Sequence, residues 1–203
     1  MIIELRFELL VPRQVRAAEE RLEKLLPERT KLSPLGGLWK VEVGTVDQLV
    51  SIWAYDDLAH RDRVLAQAEK IGWNTVIDDI IMEQRIQILT PAPFSPPIEP
   101  KTFGQIYELR MYTYKTGMIP TISERWQQKI EDRVKLSPIV ICGSTQFGLT
   151  SQWVHLWAYK DVAERQHLRA ESLRLGIWPP DATIGLLKQD NMLLIPSRLS
   201  PLQ

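Results

Sequence analysis

Apolar and polar positions alternate from the start of the chain. Ile3, Leu5, Phe7 and Leu9 are interleaved with Glu4, Arg6 and Glu8, a period of two that predicts a strand with two distinct faces. Val15, Ala18, Leu22 and Leu25 then recur at helical spacing, and Pro27 is expected to help end that helix, having no amide hydrogen to donate. Leu38 to Val43 and Leu49 to Tyr55 read as strands joined through Gly44-Thr45-Val46-Asp47, a hairpin. Asp56 and Asp57 can cap a second helix carrying Leu58, Leu65, Ala68 and Ile71, which Gly72 would terminate. Met82, Gln84, Ile86 and Ile88 finish as a strand. The predicted order is βαββαβ, a ferredoxin-like α+β module.

The same pattern then begins again. Lys31-Leu32-Ser33-Pro34 recurs as Lys135-Leu136-Ser137-Pro138, an interval of 104 residues. That interval also lays Glu4-Leu5-Arg6 on Glu108-Leu109-Arg110, Trp53-Ala54-Tyr55 on Trp157-Ala158-Tyr159, Gly44 on Gly148 and Gly72 on Gly176. One register kept over a whole module is the mark of tandem duplication. We read residues 1–90 as the first module, 91–103 as a proline-rich linker and 104–203 as the second module. The linker prolines favour extended backbone, and at roughly 3.1 Å per residue ten such residues span about 30 Å, enough to set the modules side by side.

Composition changes this picture mainly by exclusion. Lys and Arg number 25 against 25 Asp and Glu, so no basic field recruits nucleic acid or an anionic membrane. Cys142, the single cysteine, permits no internal disulfide, and no Cys/His spacing predicts a metal site. The alternating N-terminus lacks the apolar run of a signal peptide, and no segment is apolar for long enough to span a bilayer, so the chain reads as cytoplasmic.

Two stretches carry a family resemblance: Tyr107-Glu108-Leu109-Arg110-Met111-Tyr112-Thr113-Tyr114-Lys115-Thr116-Gly117, and Val154-His155-Leu156-Trp157-Ala158-Tyr159 running on to Arg165. They resemble the NIPSNAP family, whose modules open with a Glu-Leu-Arg-x-Tyr strand reaching a glycine and later carry a His-Leu-Trp-x-Tyr strand before an Arg-bearing helix. The resemblance covers both modules. It implies a dimeric α/β barrel, two ferredoxin-like sheets closing face to face around a lumen. It implies no single reaction, since the wider superfamily contains monooxygenases, isomerases, haem enzymes and non-catalytic proteins. The first module departs from the pattern, with Glu8 at the position of Tyr112, Arg13 at Gly117 and Ser51 at His155, so any site is expected to be lopsided.

Strand alternation sorts the second module's side chains. Val154, Leu156 and Ala158, with Tyr107, Leu109 and Met111, suit packing under helices. Trp153, His155, Trp157 and Tyr159, with Glu108, Arg110, Tyr112 and Tyr114, are then expected to face the lumen. There His155, Glu108 and Tyr112 are the candidate catalytic groups, and Arg110, Trp153, Trp157 and Tyr159 the candidate substrate contacts. A guanidinium can clamp a carboxylate, and imidazole can act as a general base or ligate haem. Each has a structural alternative: Glu108 and Arg110 repeat Glu4 and Arg6 and can form an ion pair, His155 can be a hydrogen-bonded core residue, and the rings can be barrel filler. No GxGxxG, P-loop, GxSxG or HExxH sequence occurs, and Cys142 lies in the apolar run Ile139-Val140-Ile141-Cys142, where its thiol is expected to be inert.

Two functions remain open. One is binding of a small planar or carboxylate-bearing metabolite in the lumen, with or without cofactor-free proton transfer or oxygenation. The other is a non-catalytic interaction module with a filled barrel. No cofactor is expected, haem being the alternative through His155. A homo-oligomer is expected because a βαββαβ sheet leaves one face bare, and the barrel could close within one chain or between chains.

Overall fold

The computed structural model describes residues 1–147, 151–181 and 183–203; the predicted turn at Gly148 lies outside the described residues. The first module runs β1 (Ile2–Leu10), α1 (Val15–Leu32), β2 (Leu35–Val43), β3 (Gln48–Tyr55), α2 (Leu58–Lys70) and β4 (Ile81–Pro91). Two short 3-10 turns, Trp73–Thr75 and Asp78–Ile80, precede β4. The second runs β5 (Ile106–Tyr114), α3 (Ile119–Gln127), α4 (Ile130–Val134), β6 (Ile139–Phe147), β7 (Gln152–Tyr159), α5 (Val162–Arg174) and β8 (Leu186–Pro196). The predicted βαββαβ order thus holds in both modules, except that the first helix of the second is divided.

The eight strands form one closed barrel in the order β1-β3-β2-β8-β5-β7-β6-β4. Each module contributes four adjacent strands, and two antiparallel seams join them. In one, Val41 of β2 lies opposite Leu194 of β8; in the other, Pro91 of β4 lies opposite Gly143 of β6. Gly143 is required there, because a β-carbon would run into the Thr90 carbonyl. The barrel therefore closes within one chain. The bare sheet faces that motivated a second copy are covered by the chain itself.

Both helix-capping expectations hold. Asp57 accepts the His60 amide at 2.7 Å and its repeat Asp161 accepts that of Glu164 at 2.7 Å, each satisfying an orphan donor of the first turn. Gly72 and Gly176 follow α2 and α5 with φ of 76° and 65°, the left-handed geometry that ends a helix. Pro27 does not end its helix. It lies inside α1, which continues to Leu32. Downstream anchoring outweighs its lost hydrogen bond: Arg29, buried two residues further on, donates to Ser33 at 2.9 Å and to Tyr55 at 3.0 Å. The 104-residue register is also interrupted. Glu4 lies opposite Ile88 and Glu108 opposite Leu193, so the last strands are related by 105 residues, one residue being added after α5.

The largest correction concerns the faces of the strands. The barrel interior is filled by Ile3, Leu5, Phe7, Val50 and Ile52 from one module and Leu109, Met111, Val154, Leu156 and Leu194 from the other. Trp153, Trp157 and Tyr159 instead lie outside the barrel wall, in a cluster with Ile122 and Trp126 of α3 and Ile130 of α4. The lumen assignment of His155 and its neighbours is therefore reversed. An eight-stranded barrel is just wide enough for its own side chains to fill, and here Phe7, Trp39 and Tyr107 pack among the aliphatic residues inside it, so rings occupy both the lumen and the space under the helix layer. Alternation could not reveal this, because every residue of β7 is buried and neither face is marked by polarity.

Candidate functional site

Between the sheet and the helices of the second module lies a cavity of about 220 Å³. Strand alternation sends Arg110 and Tyr112 of β5, and His155, Trp157 and Tyr159 of β7, to its floor. Trp126 of α3, Arg133 of α4, and Arg169 and Leu173 of α5 form the helical wall, and Trp178 and Leu186 complete the rim. Among the predicted site residues, Arg110, Tyr112, His155, Trp157 and Tyr159 come together here. Glu108 and Trp153 do not line the cavity.

His155 is 2% exposed and held between rings, with Trp126 at 4.6 Å and Tyr112 at 5.1 Å between centroids. Its Nδ1 accepts the indole hydrogen of Trp157 at 2.6 Å, so Nδ1 carries the lone pair and the neutral ring bears its proton on Nε2. Nε2 has no partner. Burial, reinforced by the Arg110 charge, holds the imidazole well below its ordinary pKa. His155 is thus a neutral, buried hydrogen-bond donor on the cavity floor. The lone pair that would serve a general base is already engaged.

Glu108 is completely buried and held by three cations and an amide: Arg165 donates at 2.6 Å, Arg169 at 3.1 Å, Arg110 at 3.2 Å and the Asn191 side-chain amide at 3.3 Å. Burial alone would raise its pKa, but the Arg165 hydrogen bond with the charges of Arg110 and Arg165 outweighs it and holds the carboxyl below the usual range. Glu108 therefore stays ionised and orients arginines rather than carrying a proton. Trp153 packs against Trp126 at 5.4 Å and Phe94 at 6.3 Å.

A second buried arginine supports the opposite wall. Arg133 donates to Ser137 at 2.6 Å and Tyr159 at 3.3 Å while lying over the Trp157 ring at 4.2 Å. The first module repeats this set: Arg29 reaches Ser33 and Tyr55 and lies 3.9 Å over Trp53. The Arg-Ser-Tyr-Trp set is accordingly part of the fold, and Tyr159 is occupied by it. Elsewhere the modules differ. The corresponding cavity in the first module is about 20 Å³, filled by Leu22, Leu26, Trp73 and Ile77 around Arg6, Ser51 and Trp53. Trp53 donates to Ser51 at 3.2 Å, as Trp157 does to His155, but a serine offers no ring nitrogen beyond that bond.

Sequence reasoning missed Trp126, Arg133, Arg169 and Trp178. Arg169 was discoverable, since the 104-residue register sets it on Leu65, a cation replacing an apolar residue. The repeated Arg29 and Arg133 likewise stood in register. Trp178 was hidden by the added residue: its ring meets Trp157 at 5.6 Å as Trp73 meets Trp53 at 5.8 Å, an interval of 105.

Three guanidinia, one neutral imidazole donor and stacked rings can hold a planar anion. The lining contains no carboxylate, so positive charge and donors dominate. Haem ligation does not fit. It needs the Nε2 lone pair and hence a proton on Nδ1, where Trp157 already donates. Among the described residues no cluster of three His, Cys, Asp or Glu side chains could hold a metal ion, and no helix is long and apolar enough to cross a membrane.

A family model described as NIPSNAP matches residues 3–96 and again 107–201. Protein NipSnap homolog 3B of Homo sapiens is 30% identical over 205 residues, covering 96% of this chain and 83% of its own. Protein NipSnap homolog 2 of Homo sapiens is 25% identical over 193 residues, covering 91% and 68%. A solved structure from Lactobacillus acidophilus, provisionally described as a monooxygenase, superposes with a TM-score of 0.69 over 96% of this chain and 92% of its own, at 12% identity. At that identity the likeness is one of fold.

Proposed function

Because the chain belongs to the NIPSNAP family, whose domain it contains twice, and because family membership names no reaction, we propose a function from the site itself: the second module binds a small planar metabolite bearing a carboxylate. The observation that carries this reading is the unpartnered Nε2 donor of His155 on the floor of a 220 Å³ cavity, where the first module has Ser51 and only 20 Å³. A buried donor without a partner costs about 1–3 kcal/mol, a penalty that a ligand oxygen removes.

Arg110, Arg133 and Arg169 supply the charge for an anion, and Trp126 and Trp157 supply faces for a ring. The volume suits a head the size of one aromatic ring, since a 150 Å³ apolar cavity already takes benzene. Binding rather than proton abstraction is the better supported half of the expectation, because the wall offers donors and no free base. The filled-barrel alternative describes the lumen correctly, but the candidate site lies outside it.

Calorimetric titration with benzoate and with benzamide, the uncharged analogue of similar shape, tests the reading. Benzoate is expected to bind and benzamide to bind at least tenfold more weakly. Equal affinity for the two, or none for either, would reject it.

A further inference from the structure

We propose that the ligand of this pocket is an amphiphile, whose anionic head sits beside His155 and whose apolar tail leaves across Leu173; this rests on the pocket reading above and names its substrate class.

The cavity is polar at depth and apolar at its mouth. His155 and Arg133 are each 2% exposed, so the donors and charge lie at the bottom. Leu173 lines the same cavity and is 67% exposed, which places it at the opening, and Pro179 beside it is exposed as well. Arg169 is also near the mouth, but its guanidinium turns inward to Glu108. A cavity of about 220 Å³ accommodates the head alone, so any longer ligand must extend over that rim.

Leu175, Ile184 and Leu187, each within two residues along the chain of a wall residue, are 46%, 47% and 62% exposed. Exposed leucines singly mean little, so the exit route rests on Leu173, which is itself part of the cavity wall. The first module supplies an internal control. Its counterpart of Leu173 is Glu69, an exposed acid, and no residue of α2 lines the 20 Å³ cavity of that module. The first module's helix carries an acid where the helix lining the open cavity carries a leucine.

Charge complementarity fixes the head and the rim fixes the tail. A carboxylate meets Arg110, Arg133 and the His155 donor, and a hydrocarbon chain leaving the cavity covers Leu173 instead of water.

The test is a titration of benzoate, 4-ethylbenzoate, 4-butylbenzoate and 4-hexylbenzoate, each below its aggregation threshold, with the matching amides as controls. Affinity is expected to rise about threefold per methylene that rests on the rim, and the Leu173→Ser variant is expected to flatten that gain. Benzoate binding with no gain along the series would overturn the amphiphile while leaving the pocket reading intact. An equal gain in Leu173→Ser would overturn the exit route, and equally tight amides would overturn the anionic head. Absence of binding by every acid would remove both readings.

Discussion

Trp157 donates its indole hydrogen to Nδ1 of His155 at 2.6 Å, and at the equivalent place in the first module Trp53 donates to Ser51 at 3.2 Å. The two tryptophans hold the same position in the repeat, and only their acceptors differ. A serine absorbs the bond and ends there. A histidine absorbs it with one nitrogen and presents the other, so the same anchoring contact that keeps the sheet-to-helix layer in register also fixes the tautomer of a donor that, like Nε of Arg110 and of Arg133, has no partner among the described residues.

Arg169 is the cation that the first module lacks, Leu65 being its counterpart. Arg169→Leu leaves Glu108 bonded to Arg110 and Arg165, as Glu4 is bonded to Arg6 and Arg61, so the fold is expected to persist. Benzoate affinity, measured by calorimetry, is expected to fall about tenfold, the scale of one charge-assisted contact. An unchanged affinity would remove Arg169 from the site.

Glu108→Gln removes the only acid among four cationic or amide donors. Breaking a buried ion pair from one side costs about 3 kcal/mol, and Glu4→Gln is expected to cost a similar amount because its carboxylate is equally buried between Arg6 and Arg61. Urea denaturation of both variants checks this. A Glu108→Gln protein of full stability would mean that the acid is not a structural anchor.

His155 gives the protein a pH dependence of definite sign. Its folded-state pKa is held well below the ordinary 6.5, so folding favours the neutral ring. The resulting stability is complete above about pH 6.5 and is lost as the pH falls below that value, because the unfolded chain then takes up a proton that the native protein refuses. The loss is expected to approach about 1.4 kcal/mol per pH unit, and to be absent from His155→Ser. Urea midpoints at pH 7.5, 6.5 and 5.5 for the two proteins test it; parallel curves would contradict it.

Arg13 and Gly117 occupy the same place in the repeat and both adopt positive φ, 69° and 85°. A non-glycine residue in that region costs roughly 1–2 kcal/mol, partly offset by the greater freedom of glycine in the unfolded chain. Arg13→Gly is therefore expected to raise stability by about 0.5–1 kcal/mol, seen as a higher melting temperature in calorimetry. A lower one would mean that the Arg13 side chain contributes something its exposure conceals.

The repeat, the element order, the caps and the family were legible because each rests on local spacing: Asp57 before a helix, Gly72 after it, Lys31-Leu32-Ser33-Pro34 recurring whole. The direction in which β7 faces was not. Val154, Leu156 and Ala158 fill the barrel while His155, Trp157 and Tyr159 lie under helices, and both rows are buried, so a period of two separates them without saying which is inside. Pro27 misled for a related reason, since the burial of Arg29 that carries α1 past it is a tertiary effect. The site residues on β5 and β7 followed from the family resemblance and strand alternation, Arg133 and Arg169 stood in the repeat register unread, and Trp126 and Trp178 became visible only when the helices and the loop after α5 were placed.

The most direct test of the account is the number of ligands bound per chain before and after the second module is given the first module's residue. Calorimetry of the wild-type protein with 4-butylbenzoate is expected to give one site per chain. His155→Ser, which keeps an acceptor for Trp157 and hence the fold, is expected to melt within a few degrees of wild type and to bind at least tenfold more weakly. Two sites per chain, or undiminished binding by a folded His155→Ser protein, would contradict the claim that the second module's His155 pocket holds the ligand.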